Sequence, residues 1–164
     1  MDLFKNIVEV KGLLDKIYLQ TLELIEEDVS IKINIEKLTN EGTLNLAKTR
    51  YNQGSNTVSI TQLPTDDDRE FFALKTVERT SDINSNCTQF ALECHAVDKD
   101  SNHIDPINWF GVLIPQSLKI AREKYEKAIE LSIESANVRQ KIAKNCELIR
   151  KLKRIKRQFE KIEE

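Results

Sequence analysis

Glycine and proline are scarce, four and three residues in 164. Together they are about a third of their ordinary share. A sandwich or barrel of many short strands needs turn residues throughout, so an all-β fold is disfavoured. Aromatic residues make up only 6%, with a single tryptophan, which is thin for a thick globular core. The three cysteines, Cys87, Cys94 and Cys146, are an odd number in irregular spacing. That argues against a disulfide framework and for a reducing compartment. The longest apolar run, 109–114, falls far short of the roughly 20 residues that span a bilayer. The first ten residues include Asp2 and Lys5 and hold no apolar stretch of signal-peptide length. A soluble protein is expected. The net charge of −2 selects no partner.

Catalytic signatures are missing as well. The sequence holds no phosphate-binding glycine loop, dinucleotide fingerprint, HExxH or GxSxG. Cys87, Cys94, His95 and His103 cluster loosely, but lack the short CxxC or HxxxH pairs of structural zinc sites. Asp66, Asp67 and Asp68 lack the alternate-position frame of a calcium loop and read as a solvated acidic loop. The expectation is no enzyme, no metal and no cofactor.

What is abundant is charge, 32% of the chain, and helical periodicity. Leu3, Ile7, Val10, Leu14, Ile17, Leu24, Ile31, Ile35 and Leu38 fall in alternating steps of four and three, with Thr21 and Asp28 as polar interruptions. This is a heptad seam of about five repeats. Leu13, Leu22, Ile25, Val29 and Ile33 widen the stripe beyond a strict two-stranded zipper. Gly42 is a place where the helix loosens, and Gly54 is a C′ residue. A second helix is expected from Pro115. Leu118, Ala121, Tyr125, Ala128 and Ser132 follow in helical spacing. A shifted run of Leu148, Leu152, Ile155, Phe159 and Ile162 comes after them.

Residues 1–30 are acidic and residues 139–161 basic, so an antiparallel pairing brings acid beside base. The predicted fold is therefore mainly α, two long helices in an antiparallel coiled-coil hairpin. Its parts are an N-terminal helix (1–54), an insertion (55–104) that is either a three-stranded β excursion or a partly ordered loop, and a hydrophobic corner with the C-terminal helix (105–164). The strand-compatible stretches of the insertion are 57–63, 71–78 and 90–97.

Two features have an interaction reading. The first is 105–115, with Trp109, Phe110, Gly111, Val112 and Leu113 between two prolines. It is a plug that seats the second helix, a partner-docking corner, or both. The second is the basic face Arg150, Lys151, Lys153, Arg154, Lys156 and Arg157. It reads as a solvated side facing the acidic helix, or as a surface for anionic lipid, an acidic partner or nucleic acid. The absence of interleaved aromatics argues against nucleic acid. A generic coiled-coil tether or trafficking adaptor fits these features too.

The 105–118 block, with the helix that follows it, resembles the coiled-coil domain-containing protein 115 family. These are endoplasmic-reticulum assembly factors of the vacuolar-type proton ATPase. The block LNLAKTRYNQG, 44–54, is similar to a second family block, and the two come in the family's order. The resemblance implies a non-enzymatic, chaperone-like factor. It implies work on the cytosolic face of the endoplasmic reticulum, and also endosomes, lysosomes or ER-Golgi vesicles. The implied partners are a membrane-spanning factor of the transmembrane protein 199 type and nascent membrane-sector subunits, and the implied outcome is lysosomal acidification. Leu44, Tyr51, Trp109, Phe110, Val112 and Leu113 become the expected protein-binding residues. Residues 55–104 match nothing in the family.

Overall fold

The computed structural model describes residues 2–54, 56, 58–65, 70–82, 87–98 and 102–162, with side chains from residue 8 to residue 160. Asp66, Asp67 and Asp68 lie outside the described residues, as do the side chains of Asp82 and Cys87. Helix α1 (Asp2–Gln53) and helix α2 (Gln116–Ile162) run the length of the molecule. At 1.5 Å per residue, α1 is about 78 Å long. The helices are antiparallel: Leu14 packs with Ile149, Asp28 with Ser135 and Thr49 with Ser117. A two-stranded antiparallel hairpin, β1 (Lys75–Asp82) and β2 (Cys87–Cys94), rises from the insertion, with Lys75 opposite Cys94.

Of the expected α1 seam, Leu14, Ile17 and Ile31 are buried, while Val10, Leu24, Ile35 and Leu38 are half-buried. Its two polar interruptions are buried within it. Thr21 donates to the carbonyl of Ile17 at 2.7 Å. Asp28 accepts from Ser135 at 2.5 Å and from Lys32 at 2.5 Å. The hydrogen bond from Lys32, then that from Ser135, hold the Asp28 carboxyl below its ordinary range. Polar rungs tolerate burial only when satisfied in this way.

On α2 the expected second run is met in part: Leu152 packs on Leu14, Ile17 and Ile149 and Phe159 is half-buried. One heptad frame runs through Ala121, Ala128, Ser135 and Ile149, all buried, with Ile142 half-buried in the same frame. Leu148 and Ile155 lie outside the core, each 39% exposed, and Ser132 is exposed in place of Ser135. The small side chains Ala121 and Ala128 let the helices approach closely. Gly42 serves the same purpose from α1. It does not loosen the helix, because α1 continues unbroken to Gln53. A Cβ at Gly42 would stand 3.0 Å from the Tyr125 ring. Gly54 ends the helix as expected, at φ 95° and with its N–H on the Arg50 carbonyl at 3.0 Å.

The insertion departs from expectation most in one stretch. Of the stretch 57–63, residues 58–63 do not form a strand, and Thr57 lies outside the described residues. Ser59 caps a short 3₁₀ turn, Ile60–Gln62, and the Gln62 side chain returns to the Ser59 N–H. This capping box wins over the alternating pattern. The other two stretches overlap the strands, but β1 lies four residues later than 71–78 and β2 three residues earlier than 90–97. Asn137 of α2 clamps β2: its amide oxygen accepts from the Phe90 N–H at 2.8 Å, and its amide nitrogen donates to the Phe90 carbonyl at 2.9 Å. An open strand edge carries unpaired backbone groups, and this clamp satisfies two of them.

Candidate docking site at the hairpin corner

Asp105 organises the corner. Its Oδ1 caps a 3₁₀ turn, Pro106–Phe110, by accepting from the Ile107 N–H at 3.1 Å. Its Oδ2 accepts from Arg122 Nη1 at 2.6 Å. Arg122 also donates through Nε to Glu126 at 2.8 Å. Partial burial disfavours the Arg122 charge, but the Glu126 hydrogen bond and the Asp105 charge outweigh it and hold its pKa above the ordinary value. Lys75 stands 3.8 Å from both Glu126 and Glu130. Around the capped turn, Ile107 is buried with Val58 and Leu118, and Leu46, Phe110 and Ile114 pack against them. Arg50 Nε fixes the chain after α1 by donating to the Val58 carbonyl at 3.0 Å.

Above this cluster opens a cavity of about 790 Å³, within the range of ligand-sized clefts. Phe71, Phe72, Trp109, Phe110 and Tyr125 supply its aromatic lining. Phe71 and Trp109 meet edge to face, with centroids 5.2 Å apart. His95 and His103 lie with ring centroids 4.9 Å apart, tilted by 33°, and His95 Nε2 lies 2.9 Å from the Thr76 hydroxyl. Cys94 is exposed nearby. Among the described residues no group of three His, Cys, Asp or Glu could hold a metal ion. Among the described residues the lining is mainly apolar, and its two cations, Lys75 and Arg122, are already paired with carboxylates.

The expected binding residues separate into three groups. Trp109 and Phe110 are half-buried in the cavity wall. Val112 and Leu113 follow Gly111, whose φ of 116° turns the chain, and they project at 98% and 90% exposure. Leu44 and Tyr51 are exposed on α1, and Leu46, between them, is the residue that lines the cavity. Of the basic face, Lys156 is half-buried and the other five residues are exposed. Lys153 Nζ stands over the Tyr18 ring at 5.4 Å, and Lys156 pairs with Glu160 in its own helix. Sequence reasoning missed Asp105, Arg122 and Phe72 as site-builders. The Asp-Pro pair that opens the 3₁₀ turn was the available signal, since Asp favours N-caps and Pro the next position.

No protein-family model matches the chain. Three vertebrate proteins named vacuolar ATPase assembly protein VMA22 are similar to it. The zebrafish protein is 24% identical over 170 residues, covering 77% of this chain and 80% of its own. The mouse protein is 25% identical over 149 residues, covering 79% and 83%. The human protein is 23% identical over 160 residues, covering 82% and 86%. The chain is a distant homologue of this assembly protein. The similarity spans most of both chains, more than either long helix alone makes up. The resemblance read from 44–54 and 105–118 is thereby borne out. No described helix is long and apolar enough to cross a membrane.

Proposed function

We propose that this chain is a non-enzymatic assembly factor for the membrane sector of the vacuolar-type proton ATPase. The observation that carries the reading is similarity to VMA22 proteins over about four-fifths of both chains. The described helices contain no membrane span, so work on a membrane sector requires recruitment by a partner. A membrane-spanning factor of the transmembrane protein 199 type fills that role at the cytosolic face of the endoplasmic reticulum. The corner supplies the docking surface: Val112 and Leu113 project beside an apolar cavity, the usual form of an interface core with a polar rim. The basic face 150–157 adds attraction to anionic lipid headgroups.

The test is rescue in cells lacking the protein, read by native gels of the proton pump's membrane sector and by a lumenal pH dye. The full chain restores both. Cells that assemble the sector and acidify normally without the protein reject the reading and leave a generic tether in its place.

A further inference from the structure

Helix α1 has two apolar faces, and α2 buries only one; at the second, Lys153 of α2 stands over the Tyr18 ring at 5.4 Å. Tyr18, Leu22, Ile25, Val29 and Ile33 recur at steps of four, three, four and four, which places them on one side of a helix. The first four each follow a seam position by one residue. The stripe therefore lies about 100° around the helix from the seam. Its members are 37% to 61% exposed. Single exposed apolar residues are normal, but a row of five in register marks an interaction surface.

The rim of the stripe is acidic. Glu23 and Glu26 each follow a stripe residue by one and so line its outer edge. Asp15 and Glu36 stand three residues beyond its two ends. Two bases, Lys16 and Lys32, stand among the six acids of 15–36, and Lys32 is held by Asp28 at 2.5 Å. A second copy of the chain is a poor occupant. Laid antiparallel on itself, the stripe sets Glu23 and Glu26 against their own counterparts, and like charges across an interface are costly. Nor does α2 present a matching row: its exposed large apolar residues are Ile129, Leu148 and Ile155, too widely spaced to form one.

We propose that this stripe docks an amphipathic helix of another protein, one with an apolar seam and lysine or arginine along the edge that meets Glu23 and Glu26. Helix recognition by an apolar face with anchors at steps of three and four is a recurring mode. The surface lies on the other half of the hairpin from the corner, so it stands or falls separately from the proposed assembly role.

The test uses the full chain and three labelled synthetic helices of about six turns. The first has a leucine seam with lysine flanks, the second the same seam with glutamate flanks, and the third is a scramble of the lysine peptide. Fluorescence anisotropy should show the lysine-flanked helix binding at least about tenfold more tightly than either of the others. Leu22→Ser with Val29→Ser should cost about tenfold with circular dichroism unchanged. Glu23→Lys with Glu26→Lys should reverse the preference toward the glutamate peptide. Equal binding of the scramble, or affinity indifferent to both pairs of substitutions, would overturn the proposal. So would a stripe-dependent dimer in sedimentation equilibrium, which would make a second copy the occupant.

Discussion

Asp28 is a carboxylate at a seam position where leucine is the ordinary choice. Its hydrogen bonds from Lys32 and Ser135 favour the ionised form in the fold. With the folded-state pKa lowered, its contribution to stability is complete above the unfolded-state value of about 3.9. It is lost as pH falls through the lower folded-state value. The wild type should therefore lose more stability between about pH 6 and about pH 3 than Asp28→Asn, measured as urea midpoints. Equal losses would show that the carboxylate is not coupled to the seam. Asn137 makes a second prediction at this scale. Asn137→Ala strips the clamp from both Phe90 backbone groups and should cost about 1–3 kcal/mol. Hydrogen exchange should report faster opening of β2 while the long helices stay protected.

The two long helices were legible in the sequence because a helix declares itself through repetition. Few breakers and a sustained alternation of three and four need no knowledge of what lies opposite. Register and insertion are different. Whether Leu148 or Ile149 points inward depends on a single heptad frame carried through Ala121, Ala128 and Ser135. Small and polar residues give that frame no hydrophobic signal. The 57–63 stretch alternates like a strand, yet the Ser59–Gln62 capping box decides its conformation.

The two glycines within α1 show the same dependence on the neighbour. A Cβ at Gly12 meets nothing within 4 Å. Gly12→Ala should therefore stabilise the chain by about 0.5–1 kcal/mol through helix propensity. At Gly42 the Tyr125 ring stands 3.0 Å from the new Cβ, and its hydroxyl lies 3.0 Å from the Thr43 hydroxyl, which resists withdrawal of the ring. Overpacking costs about 1–3 kcal/mol, so Gly42→Ala should be neutral to destabilising despite the same propensity gain. Thermal melts of the two variants should move in opposite directions, or Gly42→Ala should not move at all.

Across the whole molecule, the corner is where folding and the proposed recruitment are built from adjacent residues and can be pulled apart. The sequence marked the block because its tryptophan, prolines and apolar run are unusual for this chain. It gave no way to tell which side chains turn inward, since a 3₁₀ turn of five residues has too short a pattern to reveal a face. The structure divides them. Ile107 is 8% exposed and packs on Val58 and Leu118, so Ile107→Ala should cost about 2–5 kcal/mol. Trp109 is only half-buried, against Phe71. Trp109→Ala should therefore fall below the 3–5 kcal/mol usual for a fully buried aromatic. Val112 and Leu113, at 98% and 90% exposure, lose almost no contact when changed. Val112→Asp with Leu113→Asp should leave urea unfolding within about 0.5 kcal/mol of the wild type. Placed in cells lacking the protein, that variant should accumulate normally yet fail to restore assembly of the proton pump's membrane sector and lumenal acidity. Ile107→Ala should fail through low abundance instead. If the doubly charged variant rescues both readouts in full, the pair is not the docking point, and recruitment runs through another surface of the hairpin.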